Sequence, residues 1–123
     1  MSERRVQRLN SLLKEVISDV IHQDVKNPHL PKLITVTRVE VSKDLHHAKV
    51  YISAIGDDAV KKEAIAVLQS AANFIAVHAS KKVVMRFFPE LLFIVDSSLE
   101  AHMKIEELIY KIQQERKSRE SES

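Results

Sequence analysis

Residues 33–54 read LITVTRVEVSKDLHHAKVYISA, and the alternation of their apolar residues decides the fold. In the second half, Ala48, Val50, Ile52 and Ala54 fall on one side and Lys49, Tyr51 and Ser53 on the other. That period-two pattern predicts a half-buried strand over 48–54. The first half, 33–42, is equally rich in β-branched residues, but its phase slips: Ile34 and Val36 share one face, Val39 and Val41 the other. A slip of one residue would turn core side chains out to solvent, so a β-bulge or sharp twist is expected near Thr37 and Arg38. Between the two runs, 43–47 reads as a hairpin turn with Asp44 as a turn residue.

Upstream of the hairpin, Val6, Leu9, Leu13, Val16, Ile17 and Val20 recur at three- and four-residue intervals, which predicts a helix over 4–24. Arg4, Arg8, Ser11, Glu15 and Ser18 fall on another face of it. Pro28 and Pro31 lack amide donors and disfavour the helical conformation in their predecessors, so 26–31 is a connecting loop. Downstream, Asp57 and Asp58 can cap a helix carrying Val60, Ala64, Val67, Leu68 and Ala71, and the same periodicity continues through Phe74, Ile75 and Val77. Periodicity alone allows one long helix there. Pro89 marks its approximate end, and the apolar run LLFIV at 91–95 predicts a strand buried on both faces. Ser97-Ser98-Leu99-Glu100 matches a capping box before an amphipathic helix carrying Ala101, Ile105, Leu108 and Ile112. From Gln113 onward only polar and charged residues follow, so 1–112 is expected to form one domain and 113–123 a flexible charged tail.

The expected order is helix, strand, strand, helical pair, strand, helix. A hairpin makes the first two strands antiparallel and a helical crossover makes the second and third parallel. The fold class is therefore α+β, with a small mixed three-stranded sheet and helices packed on it.

The 123 residues suit one core, and 45% hydrophobic with 29% charged residues places the chain among globular proteins. No cysteine is present, which excludes disulfides, thiolate metal sites and cysteine nucleophiles and fits a reducing compartment. Neither a secretory signal nor a stretch near the roughly 20 apolar residues of a membrane span is seen, so a cytoplasmic location is expected. A net charge of +2 is too small to argue nucleic acid from the total.

Chemistry is sparse. The six histidines show no helical ligand spacing with nearby carboxylates, so no metal is expected. Asp96, Ser97 and Ser98 follow a strand end without a nucleophile elbow, and helix capping accounts for them. Gly56 is the single glycine, which excludes a Walker loop, a dinucleotide fingerprint and the Gly-x-x-Gly clamp of ordinary KH domains. Neither catalysis nor a cofactor is expected. Basic residues remain as candidate RNA contacts: Arg4, Arg5, Arg8 and Lys14 in the first helix, Lys81, Lys82 and Arg86 before the third strand, and Arg38, Lys43 and Lys49 on and beside the hairpin. A solvated helix face is the ordinary alternative for either helical group. Tyr51 reads as packing more than as a base-stacking platform, because few aromatics accompany it.

Two stretches resemble the ribosome-binding factor A family. One is Val36-Thr37-Arg38-Val39-Glu40-Val41-Ser42-Lys43-Asp44-Leu45, continuing to Ala48-Lys49-Val50-Tyr51-Ile52; the other, more diagnostic, is Arg86-Phe87-Phe88-Pro89-Glu90-Leu91-Leu92-Phe93 with Asp96-Ser97-Ser98-Leu99. Arg4 to Arg8 and Asn27-Pro28-His29-Leu30 agree more weakly. The resemblance implies a KH-like fold of the second type, in which the helical pair meets at an Ala-x-Gly kink. Ala71, Ala72 and Asn73 correspond to that kink, with asparagine in place of glycine and an expected left-handed backbone at Asn73. Ala76 stands where the family often has arginine, and Asn27 and His29 where aspartate and arginine are usual. The resemblance further implies a non-catalytic monomer that binds free 30S ribosomal subunits and their 16S rRNA, and assists late maturation and 5′-end processing. A protein-interaction adaptor, docking through the last helix and a sheet edge, is the alternative.

Overall fold

Leu13, Val16, Ile17, Val20 and Ile21 form one buried stripe along α1 (Glu3–Asp24), as the apolar spacing requires. In the computed structural model, which describes residues 3–31, 33–97 and 108–117, α1 is followed by β1 (Ile34–Val41) and β2 (His47–Ala54). After them come α2 (Asp58–Ser70), α3 (Ala72–Ser80) and β3 (Glu90–Val95). The strands lie in the order β1-β2-β3, with β1 antiparallel and β3 parallel to β2.

The expected bulge is present. Val36 pairs with Ile52 and Arg38 with Tyr51, leaving Thr37 as the extra residue. It restores the core phase, so that Ile34, Val36 and Val39 are all buried against the helices. The Thr37 hydroxyl donates to the Asp96 carboxylate at 2.5 Å, which gives Asp96 a structural partner across the sheet.

The strand 91–95 corrects one expectation. It is buried on one face only: Leu91 and Phe93 are each 3% exposed, whereas Leu92 is 50% exposed. Helices α1, α2 and α3 pack on the same side of the sheet, where Ala48, Val50, Ile52, Leu68, Ile75 and Ala79 complete the core. Leu92 and Ile94 therefore share the opposite face with Arg38, Glu40, Lys49 and Tyr51.

The helical pair is interrupted, but not as expected. The break falls at Ala71, with φ −95° and ψ 6°, while Asn73 lies inside α3. Among the described residues, the one non-glycine with positive φ is Leu45, so Asn73 is not left-handed. Ala71 occupies the sparsely allowed bridge region, which residues with a β-carbon can adopt, so the break needs no glycine. Its amide donates to both the Val67 and Leu68 carbonyls at 3.1 Å. The break re-phases the helical face: Ile75 and Ala79 are buried, and Phe74 and Val77 turn out to solvent. Asn73→Gly should thus destabilise the protein by a few tenths of a kcal/mol and Asn73→Ala stabilise it by up to about half a kcal/mol, both read by urea unfolding.

Gly56 precedes the α2 cap at φ 146°, where an added Cβ would lie 2.8 Å from the Val60 side chain. Asp57 caps α2 by accepting from the Val60 amide at 2.9 Å. The capping box from Ser98 on, and Ala101 and Ile105, lie outside the described residues. Residues 108–117 are helical, so helix continues past Ile112, and Leu108, Ile109, Tyr110 and Ile112 are exposed.

Candidate nucleic-acid interface

The first basic group divides between two stripes of α1. Arg4 and Arg8 line a shallow depression with Gln7 and Ser11, whereas Arg5 and Leu9 face the neighbouring loops. Lys14 lines another depression with Glu15 and Asp19 but makes no ion pair with either. The second group divides as well. Lys81 forms the C-cap of α3 and Lys82 follows it, positions where a cation complements the helix dipole. Arg86 lies farther on, with its guanidinium carbon 5.5 Å from the Phe87 ring centroid.

One residue from each group therefore meets at a single cavity. Arg5 and Leu9 of α1, Asp44, Leu45 and His46 of the hairpin turn, and Val84, Met85, Arg86 and Phe87 line an open cavity of about 560 Å³. Its lining is largely apolar; Phe87 is 67% exposed and Val84 fully so. The turn that forms one wall is built from side-chain caps. Asp44 accepts from the Ser42 hydroxyl at 2.6 Å and the His46 amide at 3.0 Å, and these hydrogen bonds, the Ser42 one foremost, hold its carboxyl below the usual range. Leu45, whose backbone N–H donates a hydrogen bond to the Ser42 carbonyl at 3.0 Å, has φ 62°. A left-handed leucine is strained by roughly 1–2 kcal/mol.

The open sheet face carries the remaining candidates. Arg38 stacks on the Tyr51 ring at 3.9 Å and pairs with Glu40 at 3.3 Å, while Tyr51 donates to Glu40 at 3.3 Å. Tyr51 is thus engaged in packing, and Arg38 is partly neutralised. Lys49 lies opposite Glu40 across the strands, and Lys43 is exposed in the turn. Among the described residues, Arg4, Arg8, Lys43, Lys49, Lys81 and Lys82 make no ion pair.

Three polar side chains that periodicity did not single out bind backbone groups on the two edge strands. On β1, Asn10 accepts from the Val41 amide at 2.9 Å, and His22 Nε2 donates to the Ile34 carbonyl at 2.9 Å. On β3, Gln69 donates to the Leu91 carbonyl at 3.1 Å and accepts from the Phe93 amide at 3.0 Å. These groups would otherwise offer a template for strand addition.

A family model for ribosome-binding factor A matches residues 5–109. The chain belongs to the ribosome-binding factor A family. The ribosome-binding factor A of Protochlamydia amoebophila is 58% identical over 123 residues, covering 100% of this chain and 94% of the relative. That of Chlamydia pneumoniae is 48% identical, covering 94% and 97%. Among solved structures, the crystal structure of ribosome-binding factor A from Thermus thermophilus is 29% identical with a TM-score of 0.65, covering 73% of this chain and 94% of that one. A homology model of the Thermus thermophilus factor, fitted into the cryo-EM map of a 30S complex, is 28% identical with a TM-score of 0.61, covering 73% and 93%. The matched range contains the α1 arginines from Arg5 on, the hairpin and the 84–87 loop, so the cavity lies within the region shared across the ribosome-binding factor A family.

Proposed function

We propose that this chain binds the free 30S ribosomal subunit through its 16S rRNA and assists late subunit maturation and 5′-end processing, without catalysis. The observation that carries this reading is its family membership over residues 5–109, together with the relative seated in a 30S complex. Exposed arginines and lysines neutralise rRNA phosphates, while a rigid domain holds one rRNA arrangement and keeps the immature particle from joining. The order of α1, two strands, a broken helical pair and β3 supports a KH-like reading of the second type, with 1–112 as the domain and 113–123 as a charged tail. No helix among the described residues is long and apolar enough to cross a membrane; the proposed role on ribosomal particles places the protein in the cytoplasm, as a monomer. The side-chain hydrogen bonds to the edge strands weigh against an adaptor that docks by strand addition.

Depletion of the protein from cells should leave 16S rRNA with an extended, unprocessed 5′ end, read by primer extension. Mature 5′ ends at normal abundance after depletion would contradict the processing role.

A further inference from the structure

The cavity between α1, the hairpin turn and the 84–87 loop combines features that phosphate neutralisation alone does not require. Its volume of about 560 Å³ falls within the roughly 300–1,000 Å³ of pre-formed small-ligand sites. Leu9, Leu45, Val84, Met85 and Phe87 supply an apolar lining, and Arg5 and Arg86 stand at the same opening. Phe87 is 67% exposed although its neighbour Phe88 packs against the core, so its ring is presented to solvent. Leu45 supplies a second, independent observation. Backbone strain persists where the surroundings enforce it, and here two Asp44 hydrogen bonds hold a left-handed leucine as a cavity wall.

Resting on the rRNA-binding reading above, we infer that this cavity seats one unstacked nucleotide of single-stranded RNA. The base lies against Phe87 and the apolar wall, and the flanking phosphates lie at Arg5 and Arg86. A base offers a flat π-face to Phe87, and a guanidinium pairs with a phosphate through two parallel hydrogen bonds. A base-paired strand cannot enter, because its bases are stacked and their faces covered. The site differs from the groove beside the helix break, which is lined by Gln69, Ser70, Asn73 and Pro89 and shares His46 with it.

The test compares two short single-stranded oligoribonucleotides, one intact and one abasic at its central position, by fluorescence anisotropy with the full chain. Binding to purified free small subunits is measured in parallel. The intact strand should bind roughly tenfold tighter than the abasic one, and Phe87→Ala should abolish that difference. Val84→Asn, at a fully exposed position, should reduce it too, and serves where Phe87→Ala lowers the unfolding midpoint. Equal binding of the two strands by the unaltered chain, with small-subunit binding retained, would overturn the nucleotide seat and leave the rRNA-binding reading standing. Loss of small-subunit binding in Phe87→Ala despite equal strand binding would assign the cavity to a side chain of a ribosomal protein and overturn it equally. Failure to bind small subunits at all would remove both readings.

Discussion

Replacing Arg4, Arg5 and Arg8 together with glutamine should weaken binding to small-subunit rRNA at low salt by at least about tenfold and flatten its salt dependence. Each phosphate that is no longer neutralised changes the log-log slope by roughly 0.7–0.9, so removing all three charges would change it by about 2–3. The structure refines this expectation, because Arg4 and Arg8 share one stripe of α1 while Arg5 faces the cavity with Arg86. Lys81, Lys82 and Arg86 replaced together should likewise flatten the slope, with most of the change coming from Arg86, since the lysines sit at the α3 C-terminus. Affinities measured across a range of salt concentrations check both. An unchanged slope for a triple variant would assign that group to ordinary solvated surface.

The largest stability effect should fall on β3. Phe93 is buried against the helices, and Phe93→Ala should destabilise the fold by about 3–5 kcal/mol through lost burial and the cavity left behind. Leu92, one residue away on the open face, should cost about 1 kcal/mol or less as Leu92→Ala. Urea unfolding of the two variants checks the one-sided burial. Comparable losses would mean that the outer face of β3 is covered after all.

The contrast between those neighbours shows where the sequence is legible. A period-two strand tolerates no phase error on its core face, so the slip at Thr37 had to become a bulge. The run LLFIV carries no such information, because the same five apolar residues suit a strand buried on both faces and an edge strand open on one. Which of these forms depends on where the helices pack. Helical periodicity runs through 60–77 without a break; the family resemblance locates the break near Ala71 but not its geometry. In place of a glycine-like left-handed turn at Asn73, a bridge-region alanine breaks the helix and leaves Asn73 helical.

The candidate site was legible as residue types but not as an arrangement. Arg5 and Arg86 are far apart in the chain and belong to different basic groups, and only the packing of α1 beside the hairpin turn brings them to one cavity. Asn10, His22 and Gln69 left a fainter trace. Each is a polar residue beside the apolar stripe of its helix, yet its backbone partner lies on a strand 12 or more residues away. Such side chains become informative only once sheet order identifies which strands are edges.

Sedimentation of the full chain with ribosomal particles tests the central claim most directly. At moderate salt the protein should travel with free small subunits and be absent from joined ribosomes and polysomes, and raising the salt should release it. Equal recovery from free subunits and translating ribosomes would contradict the account.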